Sequence, residues 1–441
     1  MFRQSIYIFS SKMIGYAFRL ALPMVLARLL TKADFGGYRQ FFLMEVLFTS
    51  MLQLGINQAL YYYIPRDEKN AGAYFLNSLA LNTGIFAVAF TVIGFSAGFW
   101  AKQLNMPLLT DYFWQLAGET LLLTLAVTAD CYLVARQFPK ASAVFEIEGQ
   151  LLASVFTLFA AWRLGTLGAI FTGLVLARFV QFVTMLGWIQ LRLHGFRAER
   201  YWHDVWPQVK YGAVLGLGGI LITQLARLSD LMVSRYQGVE GYAVFSAGCT
   251  DIRILTFYSQ ALAVVSLGRF AQMEKDKDWA GIHATWNRIL TSMYCATLPV
   301  VVGLVLFAKP LILFMFSAKY VDAVPIFRLS AILQIQLIWN ASLVLRAMGR
   351  NDVTVYAHAA HLAVAPFLYK FALDHWGLQG MMLTSIAVQV NVKLLSVYIL
   401  NRLSKHPLPY FTRPSEMAAF YREMWHGARR GLRRLRAAPA R

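Results

Sequence analysis

The chain has 441 residues, 58% of them hydrophobic and only 14% charged, and carries a net charge of +19. Soluble domains hold about 25% charged residues, so this composition excludes a soluble fold. The positive balance does not point to nucleic acid either, because most cations flank apolar runs, where they set topology and meet anionic lipid.

Apolar stretches of roughly 20 residues, enough to cross a bilayer, follow one another along the chain. Twelve spans are predicted, at 5–30, 38–63, 73–100, 111–135, 142–163, 166–193, 208–236, 241–270, 285–317, 322–348, 351–375 and 378–403. Each is expected to be a helix, since hydrocarbon offers backbone amides no other partner in an open chain. The first run carries Arg3, Lys12, Arg19 and Arg28 and lacks a short apolar core ending in a small-residue cleavage site. It is therefore expected to be a retained first helix.

Between the first two spans lies ARLLTKADFGGYRQFF, residues 27–42. Gly36-Gly37 is expected to form the bend, with Asp34 capping the next helix and Tyr38 in the interfacial belt. Span two carries Gln53 and Asn57, four apart and so on one helical face. Such amides either bond a polar ligand or bond across to another helix. Tyr61-Tyr62-Tyr63 closes the span as an interfacial anchor. Glu119 lies deep in span four, and either takes up a proton or Na⁺ or neutralises an arginine. Glu146 and Glu148, near the mouth of span five, are expected to line it or to pair with Arg136 or Lys140.

A second hairpin, SRYQGVEGYAVF at 234–245, echoes the first. Arg28 and Arg235 end the first span of each half, and Lys140 and Arg350 end the fourth and tenth, at nearly equal offsets. A six-helix unit repeated once explains this, and an even helix count makes the two copies parallel. The predicted domains are 1–200, 201–403 and a basic tail, 404–441, read as an interfacial amphipathic helix on anionic lipid.

With the N-terminus inside, inner segments hold 24 cations and outer ones nine, which places both termini in the cytoplasm. Arg19, Arg178, Arg253 and Lys393 lie nearest the midplane. An ion at that depth is costly, so each is a candidate for function or for a buried pair that fixes helix packing. Arg227 and Asp230, three apart, are expected to pair. Asp251 and Arg253, two apart, are expected to face different ways. Pro23, Pro299 and Pro366, with the GLGG run at 216–219, are candidate bending points. Cys131, Cys249 and Cys295 stand singly in apolar runs, with no metal-like spacing.

The opening ARLLTKADFGGYRQFF with LQLGINQALYYYIPR (52–66), the stretch TLPVVVGLVLFAKPLILFMFSAKYVDAVPIFRLSAI (297–332) and LVLRAMGRNDVTVYAH (343–358) resemble bacterial polysaccharide flippases of the Wzx type. These belong to the multidrug/oligosaccharidyl-lipid/polysaccharide exporter superfamily, and the resemblance runs over 1–403. Two departures stand out: the family often has proline where Gly268 stands, and glycine where Ser317 stands.

The resemblance implies an all-α fold of two pseudo-symmetric six-helix lobes in a V, as in multidrug (MATE-like) exporters. It implies movement of an undecaprenyl-pyrophosphate-linked oligosaccharide from the cytoplasmic to the periplasmic leaflet of the bacterial inner membrane. The expected partners are that lipid-linked oligosaccharide, anionic lipids, a polysaccharide polymerase and glycosyltransferases, with no nucleic acid. No cofactor is expected beyond coupling to H⁺ or Na⁺. Arg19, Arg178 and Arg253, with Lys393, would meet the pyrophosphate or an acidic sugar, Gln53 and Asn57 would bond sugar hydroxyls, and Glu119 would take the coupling ion. The alternatives are a peptidoglycan-precursor flippase, a multidrug or cation antiporter of the same superfamily, and, more remotely, a polytopic glycan-assembly enzyme. The outer loops are tiny and no nucleophile–base or metal arrangement is present, so an enzyme is not expected.

Overall fold

The structure, a computed structural model, describes residues 2–193, 205–404 and 407–437. Among these the fold is all-α, with no strand. The helices are α1 (Phe2–Leu29), α2 (Lys32–Leu52), α3 (Ile56–Tyr63), α4 (Ala71–Leu104), the single turn α5 (Leu108–Asp111), α6 (Phe113–Ala135), α7 (Pro139–Arg163) and α8 (Leu167–Leu193). They continue as α9 (Val205–Gly248), α10 (Ile254–Lys275), α11 (Trp279–Leu306), α12 (Ala308–Phe316), α13 (Val324–Leu333), α14 (Ser342–Ala347), α15 (Asn351–Ser404) and α16 (Pro414–Ala437). Nine stretches among the described residues are long and apolar enough to cross a membrane. Two of these, α9 and α15, are each a pair of helices joined at a glycine with positive φ, Gly238 (69°) and Gly377 (61°). Only glycine takes that backbone without strain.

The first hairpin turns earlier than its glycines suggest. The chain reverses at Leu30-Thr31, and Gly36-Gly37 lie inside α2. Thr31, not Asp34, is the N-cap: its Oγ1 accepts from the Asp34 amide at 3.0 Å. The same hydroxyl donates to Asp34 Oδ2 at 2.6 Å. Asp34 therefore sits in the first turn, where a carboxylate suits the helix dipole. Gly36 serves close approach instead: a Cβ there would strike the side chain and carbonyl of Val239.

Spans two and eight break in the middle. Between α2 and α3, Leu54 (φ 43°) and Gly55 (φ 71°) take left-handed backbone. Between α9 and α10, residues 249–253 are non-helical. Such breaks persist at membrane depth only where protein or water satisfies the freed backbone groups.

Two compact units account for the chain. One holds residues 1–247 with 313–322, the other 248–312 with 323–441. The expected boundary at 200/201 lies outside the described residues. Within the first unit α9 is bonded along its length to the earlier helices. Gln208 Nε2 donates to Ser78 Oγ, Gln224 Nε2 to Ser50 Oγ at 2.9 Å, and Gln40 Nε2 to Ser234 Oγ at 2.6 Å. Gly212 and Gly216 let the α9 backbone settle on Leu54 and Gly55. Small residues and amide–hydroxyl bonds are how helices associate without a hydrophobic driving force. Segment 313–322 closes on the first hairpin: Arg28 donates to the Phe314 carbonyl, and Tyr320 packs on Phe35 at 5.4 Å.

The second unit packs around Trp286, Leu290, Met293, Leu345 and Leu400. Large apolar side chains also point outward, among them Phe95 and Trp114, as expected of surfaces bathed in lipid.

Candidate functional site

In the first unit α1, α6, α7 and α8 bring together charges that are far apart in sequence. Arg178, on α8, is buried. Its Nε donates to Glu119 Oε1 on α6 at 3.0 Å, and its Nη1 to Gln181 Oε1 at 2.9 Å. Gln181 passes the chain of bonds to the Phe145 carbonyl on α7 at 2.9 Å. Glu119 is fully buried, and its Oε2 has no hydrogen-bond partner among the described residues. Glu45 on α2 is buried too, again with an unpartnered Oε2, and it lies within electrostatic reach of Glu119, Arg178 and Arg19.

Arg19 reaches from α1 to Glu146 on α7, Nη2 to Oε1, at 3.1 Å, with its side chain 53% exposed. Glu146 is thus paired with Arg19 rather than with Arg136 or Lys140; Arg136 pairs with Glu68 at 3.0 Å. Glu148 accepts from Thr184 Oγ1 at 3.0 Å. Asp130 accepts from Ser142 Oγ and feels the charge of Lys12.

Part of this cluster lines a cavity of about 60 Å³: Arg19, Asp130, Glu146, Gln150, Arg178 and Gln181, with apolar Leu123, Ala126, Val127 and Met185. That is room for a few waters or one ion. It is far below the several hundred Å³ of an ordinary small-molecule site, so a sugar does not fit in this cavity. The cluster is also richer in acids than the sequence suggests: Glu45, Glu119, Asp130 and Glu146 gather around Arg19 and Arg178.

In the second unit Arg253 is the N-cap of α10. Contrary to the helical reading, it pairs with Asp251, Nε to Oδ2 at 3.4 Å, both about 40% exposed. The cause is the break at 249–253: without helical rotation, residues two apart can meet. Asp251 also accepts from Gln334 Nε2 at 3.0 Å. Lys393 is half-buried on α15 and makes no hydrogen bond or ion pair among the described residues. It feels the charge of Arg346. His358 and His361 face the same neighbourhood. His358 bonds the Thr354 carbonyl through Nδ1 at 2.7 Å, and His361 bonds Asn391 Oδ1 through Nε2 at 2.8 Å. Their i, i+3 spacing was the only trace of this in the sequence.

Gln53 and Asn57 do not share a helical face, because the helix breaks between them. Gln53 is the C-cap of α2. Asn57 is buried, and its Oδ1 accepts from Asn82 Nδ2 at 3.0 Å and Thr128 Oγ1 at 2.8 Å. It ties α3 to α4 and α6. Arg227 and Asp230 pair as expected, at 3.6 Å.

Over residues 25–325 the sequence matches a family model described as polysaccharide biosynthesis protein. The fold is similar to that of a multidrug resistance MATE family transporter of the MOP superfamily in an inward-facing conformation. The TM-score is 0.71 at 15% identity, covering 90% of this chain and 97% of that one. The lipid II flippase MurJ, in an inward closed conformation, gives 0.67 at 14% identity, with 91% and 88% covered. A mutant MATE transporter from Vibrio cholerae gives 0.63 at 13%, with 92% and 96% covered. No curated protein is similar at a significant level. At such identities the structural likeness concerns the fold.

Proposed function

The chain belongs to the family of polysaccharide biosynthesis proteins, and from that premise we propose that it flips an undecaprenyl-pyrophosphate-linked oligosaccharide across the bacterial inner membrane. Both termini stay in the cytoplasm, and the head group is exposed to the two leaflets in turn. The observation that carries this reading is Arg178. A guanidinium held at membrane depth by Glu119 and Gln181 is expensive, and such groups mark transport pathways. Arg19, close by and half exposed, would meet the pyrophosphate first, as a bidentate donor. Arg253 and Lys393 supply cations in the second unit.

The 60 Å³ cavity has the size of a coupling site rather than a sugar site. Asp130 and Glu146 line it; Glu119, bonded to the lining residue Arg178, and Glu45, each with an idle carboxylate oxygen, would hold a proton or Na⁺ that is exchanged as the helices move. Asn57, already engaged by two donors, would reach a sugar only after those bonds open; Gln53 is the readier contact.

One observation favours a second reading. Four carboxylates around two arginines would also suit a cation, as in an antiporter of the same superfamily. The deciding experiment follows the leaflet accessibility of the lipid-linked glycan in membranes with and without the protein. Loss of periplasmic exposure in a strain lacking this protein and any redundant flippase is the expected result. Unchanged glycan movement, with loss of cation efflux, would move the assignment to the antiporter.

A further inference from the structure

Helix α16 lies along α11 in the second unit and leaves a crevice of about 320 Å³. One wall is Arg288 and Thr291 of α11. The other is Glu416, Ala419, Phe420 and Glu423 of α16, whose spacing places them on one helical face. Two of the polar groups are already engaged. Glu416 accepts from Asn287 Nδ2 at 3.1 Å, from Thr412 Oγ1 at 3.0 Å and from the Arg413 amide at 3.2 Å. Thr291 and Thr412 share a hydroxyl bond of 2.6 Å.

Arg288 and Glu423 are different. Both line the crevice, yet neither makes a hydrogen bond or ion pair with any described residue. The crevice thus presents a guanidinium on one wall and a carboxylate on the other, over an aromatic ring and a methyl group. Exposed Phe411, Met424 and Trp425 nearby give α16 the apolar contacts of a helix lying in the head-group layer.

From this charge pattern we infer that the crevice seats the head group of a zwitterionic aminophospholipid. The phosphate meets Arg288, whose planar fork suits two phosphate oxygens. The primary ammonium, with three donors, meets Glu423. Phe420 and Ala419 take the glycerol end. An anionic phosphatidylglycerol satisfies only the Arg288 half and leaves Glu423 unanswered. The inference goes beyond cargo transport and does not depend on it.

Native mass spectrometry of the purified full chain, offered equal amounts of phosphatidylethanolamine and phosphatidylglycerol with the same acyl chains, tests it. Phosphatidylethanolamine should be retained about fivefold over phosphatidylglycerol, the size of one good exposed ion pair. Glu423→Gln should abolish that preference, and Glu423→Lys should invert it. Arg288→Gln should weaken retention of both lipids. Each variant is compared at matched elution on gel filtration, so that folding is controlled. No preference in the wild type, or a preference unchanged in Glu423→Gln, overturns the inference.

Discussion

Arg178 Nε and Glu119 Oε1 stand 3.0 Å apart, with the arginine side chain 9% exposed and the glutamate 0%. Two charges so enclosed are stable only together, because removing one leaves the other buried and unanswered. A buried pair of this kind adds little to stability by itself, and well-packed neutral residues can replace it. On the proposed function, Arg178 therefore matters more for transport than for packing.

Arg178→Ala alone should cost about 3–5 kcal/mol, since Glu119 keeps its charge with no partner. The double change Arg178→Met with Glu119→Gln should recover most of that loss. Thermal unfolding in detergent measures the stabilities, and surface glycan in a complemented null strain measures transport. The double variant is expected to fold and yet fail to export. Export at the wild-type level would remove Arg178 from the mechanism.

The Arg19–Glu146 pair behaves differently, because both side chains are partly exposed. Arg19→Gln should shift stability by no more than about 1 kcal/mol. Export should fall much further than stability does. A variant with a normal melting temperature and normal export would show that Arg19 serves only as a topology charge.

Two glycines of the GLGG run should respond in opposite ways. A Cβ on Gly216 would lie 2.5 Å from the Gly55 amide nitrogen, whereas one on Gly219 would meet nothing within 4 Å. Gly216→Ala should therefore cost about 1–3 kcal/mol through overpacking. Gly219→Ala should be neutral or gain up to about 1 kcal/mol in helix propensity. Melting temperatures of the two variants check this, and equal responses would contradict the packing of α9 on α3.

The contrast shows what the sequence can and cannot carry. Helix positions were legible because apolar run lengths set them, and Arg227–Asp230 was legible because i, i+3 neighbours meet on any helix. The Asp251–Arg253 pair was not: Gly248 stands just before the break at 249–253, but a lone glycine in an apolar run is as often tolerated inside a helix as it is a stop. Gly36 and Gly37 looked like a bend, but the turn came at Leu30-Thr31 and Gly36 was needed for approach to Val239. The charged cluster was half legible. Arg178 and Glu119 stood out as deep ions, while their pairing spans 59 positions and that of Arg19 with Glu146 spans 127. No local periodicity encodes such separations. Glu45 was missed as a member because its depth follows from how α2 packs against α6.

Ser317 offers a gain in stability. It sits at φ 75° after α12, a region that costs an L-residue roughly 1–2 kcal/mol. Its hydroxyl is buried and has no partner among the described residues. Glycine is at ease in that backbone, though it adds freedom to the unfolded chain. Ser317→Gly should gain up to about 1 kcal/mol, seen as a higher melting temperature with export unchanged. A loss of stability would mean that Ser317 makes a bond that glycine cannot replace.

The attachment of α16 should depend on pH through Glu416. The Arg413 amide is the main influence, and with Asn287 and Thr412 it holds the carboxyl below its ordinary value. The bonded form is the charged one, as in a capping box, where a third-position glutamate reaches back to the N-cap amide. A depressed carboxyl contributes fully above its unfolded value, about 4.3. That contribution fades as pH falls through the lower folded value. Glu416→Gln removes the charge at every pH. The difference in melting temperature between wild type and Glu416→Gln should hence be largest near neutral pH and shrink below about pH 4. The group is partly exposed, so the whole effect should stay near 1 kcal/mol or less. A difference that stays constant from neutral pH down through that range would mean that Glu416 acts through shape alone, and that α16 is held by Tyr421, whose hydroxyl donates to the Cys295 carbonyl at 2.7 Å, and by the indole bond from Trp286 to the Pro409 carbonyl at 3.0 Å.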